Sequence, residues 1–358
     1  MKMRKISVIL VVALWASLTV FSWFGPRQEL SEAERRPLAQ MPELSGKTLL
    51  DGSFMADFED FTLDQFPLRD SFRTLKALFH SHVLGQKDNN GIYIEDGYAV
   101  KQEYPLDLES LSHAADRFNW VYEKYLTDSD VYFAIVPDKG QYLAENSGHL
   151  TLNYAEMAQA FRENLPWATH IDLLDSLDYA DFYRTDTHWR QENLFEAAKI
   201  LCDALNVTAP VREDYVQTAI DRPFYGVYYG QAALPMEPET VYIMESQLLK
   251  DCAVYDHESG KTGSVYDRTK LDSKDLYDIF LSGSRSLLTV VNPGAKTDRE
   301  LIVFRDSFGS AMIPLILTDY AKVTLEPWDT FWKIFLRPHQ DIYRTERTPY
   351  SFRPLRKE

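Results

Sequence analysis

At 358 residues the chain is long enough for one large domain or two modest ones. With 45% hydrophobic and 13% aromatic residues it can build a substantial core, which excludes global disorder. A formal net charge of −16 excludes a general nucleic-acid binder, because neutralising phosphates needs a basic face.

The chain opens with MKMRK and a charge-free run, ISVILVVALWASLTVFSWF, residues 6–24. Nineteen residues without a charge can just cross a hydrocarbon core of about 30 Å as a helix. Lys2, Arg4 and Lys5 precede the run, so the positive-inside rule leaves the N-terminus in the cytoplasm and exports the rest. Bulky Trp23 and Phe24 stand where a signal-peptide cleavage site wants small residues. An uncleaved, single-pass anchor is therefore expected over a cleaved signal.

Residues 26–44, charged and punctuated by proline, read as a tether. Residues 52–85 carry Phe54, Phe58, Phe61, Phe72, Leu75 and Phe79 at helical spacing, with Pro67 dividing two short helices. NNGIYIEDGYAV, residues 89–100, predicts a hairpin turning at Asp96-Gly97. From about residue 105 helices alternate with strands. Helices are expected over 106–126, over 154–165 and after His188, the last with Leu194, Phe195, Ala198 and Leu201 on its apolar face. Strands are expected at 130–140 (buried), 168–174, 286–292, 300–307 and 321–327, with an apolar helix from about 308 that Pro314 kinks or stops early. The alternation predicts an α/β domain with a mainly parallel sheet. Residues 221–268 break the rhythm; FYGVYYG and TVYIMES read as short strands of a β-rich insertion near the site. The tail is basic, with six Lys/Arg against three Asp/Glu, and reads as a solvated end rather than a polyanion contact.

Two cysteines, Cys202 and Cys252, form no CxxC pair and cannot make a zinc site alone. Cys202 falls in an apolar helical pattern and reads as core, with pairing in an oxidising compartment the alternative. There is no H-E-x-x-H; His113 and His170 form no spaced cluster with His188, and no Gly-rich phosphate loop is present. No metal and no cofactor are expected.

Chemistry concentrates at two separated places. In FYRTDTHWRQEN, residues 182–193, Asp186 and His188 lie two apart. In an extended segment their Cα atoms would be roughly 6.5 Å apart on one side. The carboxylate could then accept the Nδ1 proton and leave Nε2 as a base. The plain alternative is that Asp186 or Thr187 caps the next helix and His188 packs. In LIVFRDSFGSAMIP, Leu301 to Phe304 form a buried strand, and Ser307 follows at a strand-to-helix turn near helix-initiating N–H groups. The alternative there is a simple N-cap. A nucleophilic serine needs a base and a base histidine needs an orienter, so the two sites together read as Ser307, His188 and Asp186.

These residues resemble a known family. DFYRTDTHW is similar to the signature of the DHHW proteins, bacterial exported proteins with a Tyr-Arg-Thr-Asp-His-His-Trp stretch, and LIVFRDSFGSAMIPLI resembles their Asp-Ser-Phe/Tyr-Gly block. The layout also resembles the SGNH-hydrolase-like domains of alginate O-acetylation proteins. The likeness extends to SEAERRPLAQMP, DQFPLRD, GIYIEDGYAV and LYDIFLSGSRSLLTVVNPGAK, covering most of residues 31–327. It implies an SGNH-hydrolase-like three-layer α/β fold over 105–335 with the insertion at 221–268. Before it come a transmembrane signal anchor at 1–25 and a tether with a helical and hairpin segment at 26–104, packed on the main domain. A basic tail follows at 336–358. It implies Ser307 as nucleophile, His188 as base and Asp186 as orienter, with Phe308 supplying an oxyanion N–H. Thr187 replaces the first His of the DHHW name, and Arg305 stands where SGNH serine blocks usually have Gly. SGSRS, residues 282–286, replaces a more usual Asn-bearing stretch, so Gly283 or Ser284 would have to substitute as oxyanion donor. Tyr183 and Arg184 are expected to be structural supports. Trp189, Tyr225, Tyr228 and Tyr229 are candidates to stack on sugar faces, with edge-strand packing the alternative.

The expected function is an extracytoplasmic O-acyltransferase or esterase, acetyl by resemblance, acting on a cell-surface or exported polysaccharide. A membrane-bound acyltransferase would be the acyl donor. The competing expectation is a noncatalytic glycan-binding or scaffold protein of a polysaccharide-modification system on the same fold.

Overall fold

The computed structural model describes residues 2–31, 33–273, 275–283 and 285–327. The basic tail and Ser284 lie outside the described residues. Helix α1, Lys2–Phe24, is long and apolar enough to cross a membrane, with a mean hydropathy of 2.2 over Lys5–Phe24. It is followed by a short antiparallel ladder of β1 (Leu30–Ser31) and β2 (Arg36–Pro37). Helices α2 (Gly46–Leu50), α3 (Ser53–Asp64) and α4 (Arg69–His82) come next. Pro67 separates α3 from α4 as expected, since it cannot donate an amide to a continuous helix. Strands β3 (Ile92–Glu95) and β4 (Tyr98–Lys101) form the hairpin that turns at Asp96-Gly97.

Helix α5 (Leu108–Val121) runs on into a π-helical turn, Tyr122–Leu126. Then come β5 (Tyr132–Ala134), α6 (Gly140–Ser147), α7 (Tyr154–Asn164) and β6 (Thr169–Ile171), with β5 and β6 paired in parallel. β5 is only half-buried, not the buried strand its apolar run suggested. Helix α8 is Phe195–Leu205, and β7 (Val216–Ala219) follows. The next element, α9 (Val227–Ala232), corrects the sequence reading: VYYG of FYGVYYG is helical, and of the rest only Phe224 makes a β-bridge, to Glu239. Its aromatic β-propensity is overridden because loop 184–186 accepts the amides of its first turn, as described below.

Strand β8 (Tyr242–Glu245) pairs with β7 and leads through α10 (Gln247–Asp251) to the hairpin of β9 (Ala253–Asp256) and β10 (Lys261–Gly263). The 221–268 region is thus β-rich only in its second half. After β11 (Leu288–Val291) and β12 (Arg299–Arg305) come one turn of helix α11 (Gly309–Met312), a 3₁₀ turn Ile313–Ile316, and β13 (Tyr320–Pro327). The early stop is where Pro314 enters.

The fold is mixed α/β, but the expected mainly parallel sheet is corrected. The largest sheet has the order β10-β9-β11-β13-β12. Only β12 and β13 run in parallel, while β10/β9, β9/β11 and β11/β13 are antiparallel. The hairpin of β9 and β10 brings in the reversed strands: β9 aligns antiparallel beside β11. Ile302 aligns with Thr324, Thr289 and Tyr255 on the face opposite the buried valines, so it is exposed in a segment read as a buried strand.

The chain divides into two compact units. Among the described residues, the first comprises those within 2–197, 219–242 and 272–276, and the second those within 198–218, 243–271 and 277–327. In the first, Phe61, Ile92, Tyr93, Val100, Leu143, Phe182, Tyr183 and Trp189 are fully buried. In the second, Val254, Val290, Val323 and Leu325 line the covered face of the sheet with Leu315 and Leu317.

Cys202 and Cys252 are both buried and unbridged. Burial raises the Cys202 thiol to about 12 and the Cys252 thiol to about 11. An aromatic disulfide reagent at pH 8 should therefore find no reactive thiol in the native protein and two in denaturant. Prompt native reaction would show that these side chains are accessible.

Candidate active site

Loop 182–190 is not an extended strand. Phe182 and Trp189 form an antiparallel bridge, and the loop closes with Tyr183 N–H on His188 O at 3.0 Å and Arg190 N–H on Asp181 O at 2.7 Å. Both ring ends of the closure are buried, so Trp189 is a structural wedge and not a platform for sugars. Within the loop, Asp186 Oδ1 accepts the His188 backbone N–H at 3.1 Å and lies 2.5 Å from His188 Nδ1. The carboxylate is fully buried and the imidazole nearly so. Burial alone would raise the Asp186 carboxyl, but the adjacent imidazole and the Arg35 guanidinium hold it well below the usual carboxylate range. The carboxylate therefore stays ionised and fixes the ring through Nδ1. Neither Asp186 nor Thr187 caps α8, which starts only at Phe195 after a 3₁₀ turn at Gln191–Asn193.

The sequence reading missed most of what holds this loop. Glu239, itself buried, accepts the amides of Arg184 and Thr185 and the Thr185 hydroxyl, all at 2.8 Å. The Arg184 guanidinium lies 3.7 Å from the same carboxylate. Lys139, immediately before α6, is completely buried. Its Nζ donates to the carbonyls of Tyr183 and Asp186, each at 2.5 Å, with the Arg184 carbonyl at 3.4 Å and the Tyr228 ring centroid at 5.2 Å. It occupies the carbonyl cage much as a bound cation would. Burial lowers its ammonium to about 8, against the pull of Asp138, Asp186 and Glu239. The one signal in the sequence was a charged residue closing the apolar run of VYFAIVPDKG; nothing marked Glu239.

Helix α9 docks end-on against the same loop. Thr185 O accepts the amides of Tyr228 and Tyr229, Thr185 Oγ1 accepts that of Gly226 at 3.0 Å, and Asp186 Oδ2 accepts that of Val227 at 2.8 Å. A Cβ at Gly226 would overlap the Thr185 carbonyl and Asp186 Cβ, so only glycine allows this approach. Tyr228 is buried with its hydroxyl on Asp138 at 3.1 Å, while Tyr225 is exposed and its ring lies 4.7 Å from that of Tyr229. Tyr183 is buried edge-on to Phe224 at 5.0 Å.

The serine block lies in the second unit. β12 ends at Arg305, and Ser307 is exposed in the turn before α11. Arg305 does not crowd that turn. It is buried and ties the strand end to its surroundings, donating to Ser310 Oγ at 2.6 Å, Asp306 O at 3.2 Å and Gly283 O at 3.4 Å. Leu281, Ser282 and Gly283 all adopt positive φ, a run of left-handed backbone that costs energy at the two non-glycine positions. Phe308 N–H, expected to face an oxyanion, donates to Asp306 Oδ1 at 3.0 Å, and Gly309 N–H lies 3.4 Å from the same oxygen.

The structure thus brings Asp186, His188, Tyr183, Arg184 and Trp189 together in the first unit, and Arg305, Ser307, Phe308 and Gly283 fall in the second. Residues 159–325 match the family model described as DHHW protein, a span that contains both signature blocks. The resemblance read from those blocks holds. No curated protein matches the chain. Among solved structures, a DHHW family protein from Eubacterium siraeum DSM 15702 is similar with a TM-score of 0.57 at 18% identity, over 67% of this chain and 83% of that one. Bacillus cereus PatB1 with a sulfonyl adduct is similar at 0.53 and 15%, over 66% and 84%. The O-acetyltransferase domain of Pseudomonas putida AlgJ gives 0.40 and 16%, over 69% and 84%. The first two share this fold.

Two substitutions test the loop's supports. Gly226→Ala should destabilise the protein by about 1–3 kcal/mol through overpacking, read as a lowered Tm. Lys139→Met leaves buried carbonyls unpaired, at about 1–3 kcal/mol each. The Lys139 ammonium has a lower folded than unfolded value, so the unfolded chain binds more protons between pH 8 and 10.5. Wild-type stability relative to Lys139→Met should therefore rise across that window, by at most about 3 kcal/mol. Parallel stability curves for the two proteins would contradict a buried ammonium.

Proposed function

We propose that this chain, carrying the DHHW signature over residues 159–325, is an O-acyltransferase or esterase that moves an acyl group, acetyl by family likeness, on an exported or cell-surface polysaccharide. One observation carries the reading: a buried, ionised Asp186 holds the imidazole of His188 through Nδ1, the arrangement a general base requires. Ser307, exposed at the end of β12, is the nucleophile in this proposal. His188 Nε2 takes the Ser307 proton as Oγ adds to the acyl carbonyl. The protonated ring then returns the proton to the departing alkoxide as the tetrahedral adduct collapses to the acyl-enzyme. A sugar hydroxyl or water, deprotonated by the same base, resolves the ester. That a fold relative carries a sulfonyl adduct is in keeping with nucleophilic chemistry on this scaffold.

The polysaccharide assignment draws on the exposed Tyr225 beside Tyr229, two residues from the amide that binds Asp186. α1 suits a single-pass anchor with the domain outside the cytoplasm, close to a membrane-bound acyl donor. A noncatalytic glycan-binding or scaffold role is the second reading. It is favoured by the bonding of the Phe308 amide to Asp306, which takes up a donor the oxyanion would use.

The test is acetyl release from a chromogenic acetate by the full chain in detergent micelles. Ser307→Ala and His188→Ala should each lower kcat/KM on the order of 10²–10⁴-fold. Equal rates in wild type and both variants would remove the enzyme and leave the binding role. Tyr225→Ala should raise KM for a glycan acceptor severalfold while sparing the small ester. An unchanged KM would detach these aromatics from sugar binding.

A further inference from the structure

Arg35 lies in the tether, eleven residues after the end of α1, yet its guanidinium reaches the back of the Asp186 carboxylate. NH1 is 3.7 Å from Asp186 Oδ2 and 2.7 Å from Asp275 Oδ2, and NH2 donates to the Tyr225 carbonyl at 2.6 Å. The side chain is 12% exposed and stands over the Phe224 ring at 5.6 Å. Its backbone has φ 53, in the left-handed region, where a residue with a Cβ costs roughly 1–2 kcal/mol relative to glycine. The turn between β1 and β2 therefore holds a long charged side chain where glycine would be more comfortable.

That turn is seated by contacts of its own. A Cβ on Gly230 would overlap the Ala33 carbonyl, so the turn lies directly against α9. Glu34 pairs with Arg69 at 2.6 Å and Arg73 at 3.2 Å, and Arg73 also donates to Gly230 O at 2.8 Å. Arg36 makes a two-pronged bond to Asp64 at 2.8 and 2.6 Å. The segment after the apolar helix is thus clamped on both sides of Arg35.

We propose that Arg35 is a positioning residue through which the membrane-proximal tether sets the proton affinity of the Asp186–His188 pair. This rests on reading that pair as the acid–base machinery. Among the described residues, the charged and titratable groups about the pair include Arg35 from the β1–β2 turn, Asp275, Lys139 before α6 with its neighbour Asp138, Glu239 and the buried Tyr183. Arg35 pairs with Asp186 Oδ2, the carboxylate oxygen that His188 does not bond. It favours the ionised carboxylate and opposes a second positive charge on the ring. Without it the ring keeps its proton to higher pH, and Asp275, now uncompensated, adds to that effect. The tether becomes part of the site, and a domain severed from it would carry a mistuned base.

The test is an imidazole titration by nitrogen NMR on full-length protein labelled at histidine, in micelles, with the His188 signal assigned by its loss in His188→Gln. Arg35→Gln should move the His188 titration, and the acid limb of any pH–rate profile, about 0.5–1 pH unit upward. Arg35→Gly should do the same, and it guards against misfolding because glycine suits this backbone. Arg35→Lys keeps the charge and should return the titration toward wild type. Coincident titrations in wild type, Arg35→Gln and Arg35→Gly overturn the proposal, as does an equal shift in Arg35→Lys. A shifted titration in a protein that cleaves no ester would sustain the role of Arg35 and reject the catalytic reading. Ester cleavage with an unshifted titration would do the reverse.

Discussion

The described first unit depends on keeping one carboxylate charged where no water reaches it. Isolated, a buried Asp186 would take up a proton. It stays ionised because it accepts the His188 amide and ring nitrogen and the Val227 amide, with Arg35 close by. Each partner comes from a different part of the chain, so the desolvation cost of one group dictates where a loop, a helix start and a tether must lie. The same need explains Glu239 and Lys139, which bind the amides and the carbonyls of the loop in turn. With its backbone groups satisfied from both sides, the loop has little freedom to release the imidazole.

Glycine marks the places where this assembly is tightest. Gly226 lets the α9 terminus close on Thr185 and Asp186, and Gly230 lets the β1–β2 turn close on α9. The aromatic residues between them are divided by that geometry: Tyr228 turns inward to Asp138, while Tyr225 stays exposed. A run of tyrosines that looks uniform in sequence is therefore split between the interior and the surface.

In the second unit Arg305 shows how a departure from a family pattern can be absorbed. Its stem packs against Gly309, which has no side chain to resist it, and its guanidinium satisfies Ser310 and two carbonyls. The arginine is accommodated because its side chain is buried and hydrogen-bonded, while Ser307 is exposed.

What the sequence determined by itself is local and periodic. The apolar N-terminal helix, the break at Pro67, the hairpin at Asp96-Gly97, the strand-to-turn step at Ser307 and the pairing of Asp186 with His188 all follow from interactions within a few residues. Short-range spacing and dihedral preference decide such features. Strand direction in the main sheet, the helical state of residues 227–232, the burial of Trp189 and the roles of Lys139, Glu239 and Arg35 were decided only by tertiary structure. Apart from the burial of Trp189, each depends on a hydrogen bond or ion pair between groups tens to more than a hundred residues apart. No pattern within a short window encodes which distant carbonyl a lysine will meet, or which turn will bring an arginine to a buried carboxylate.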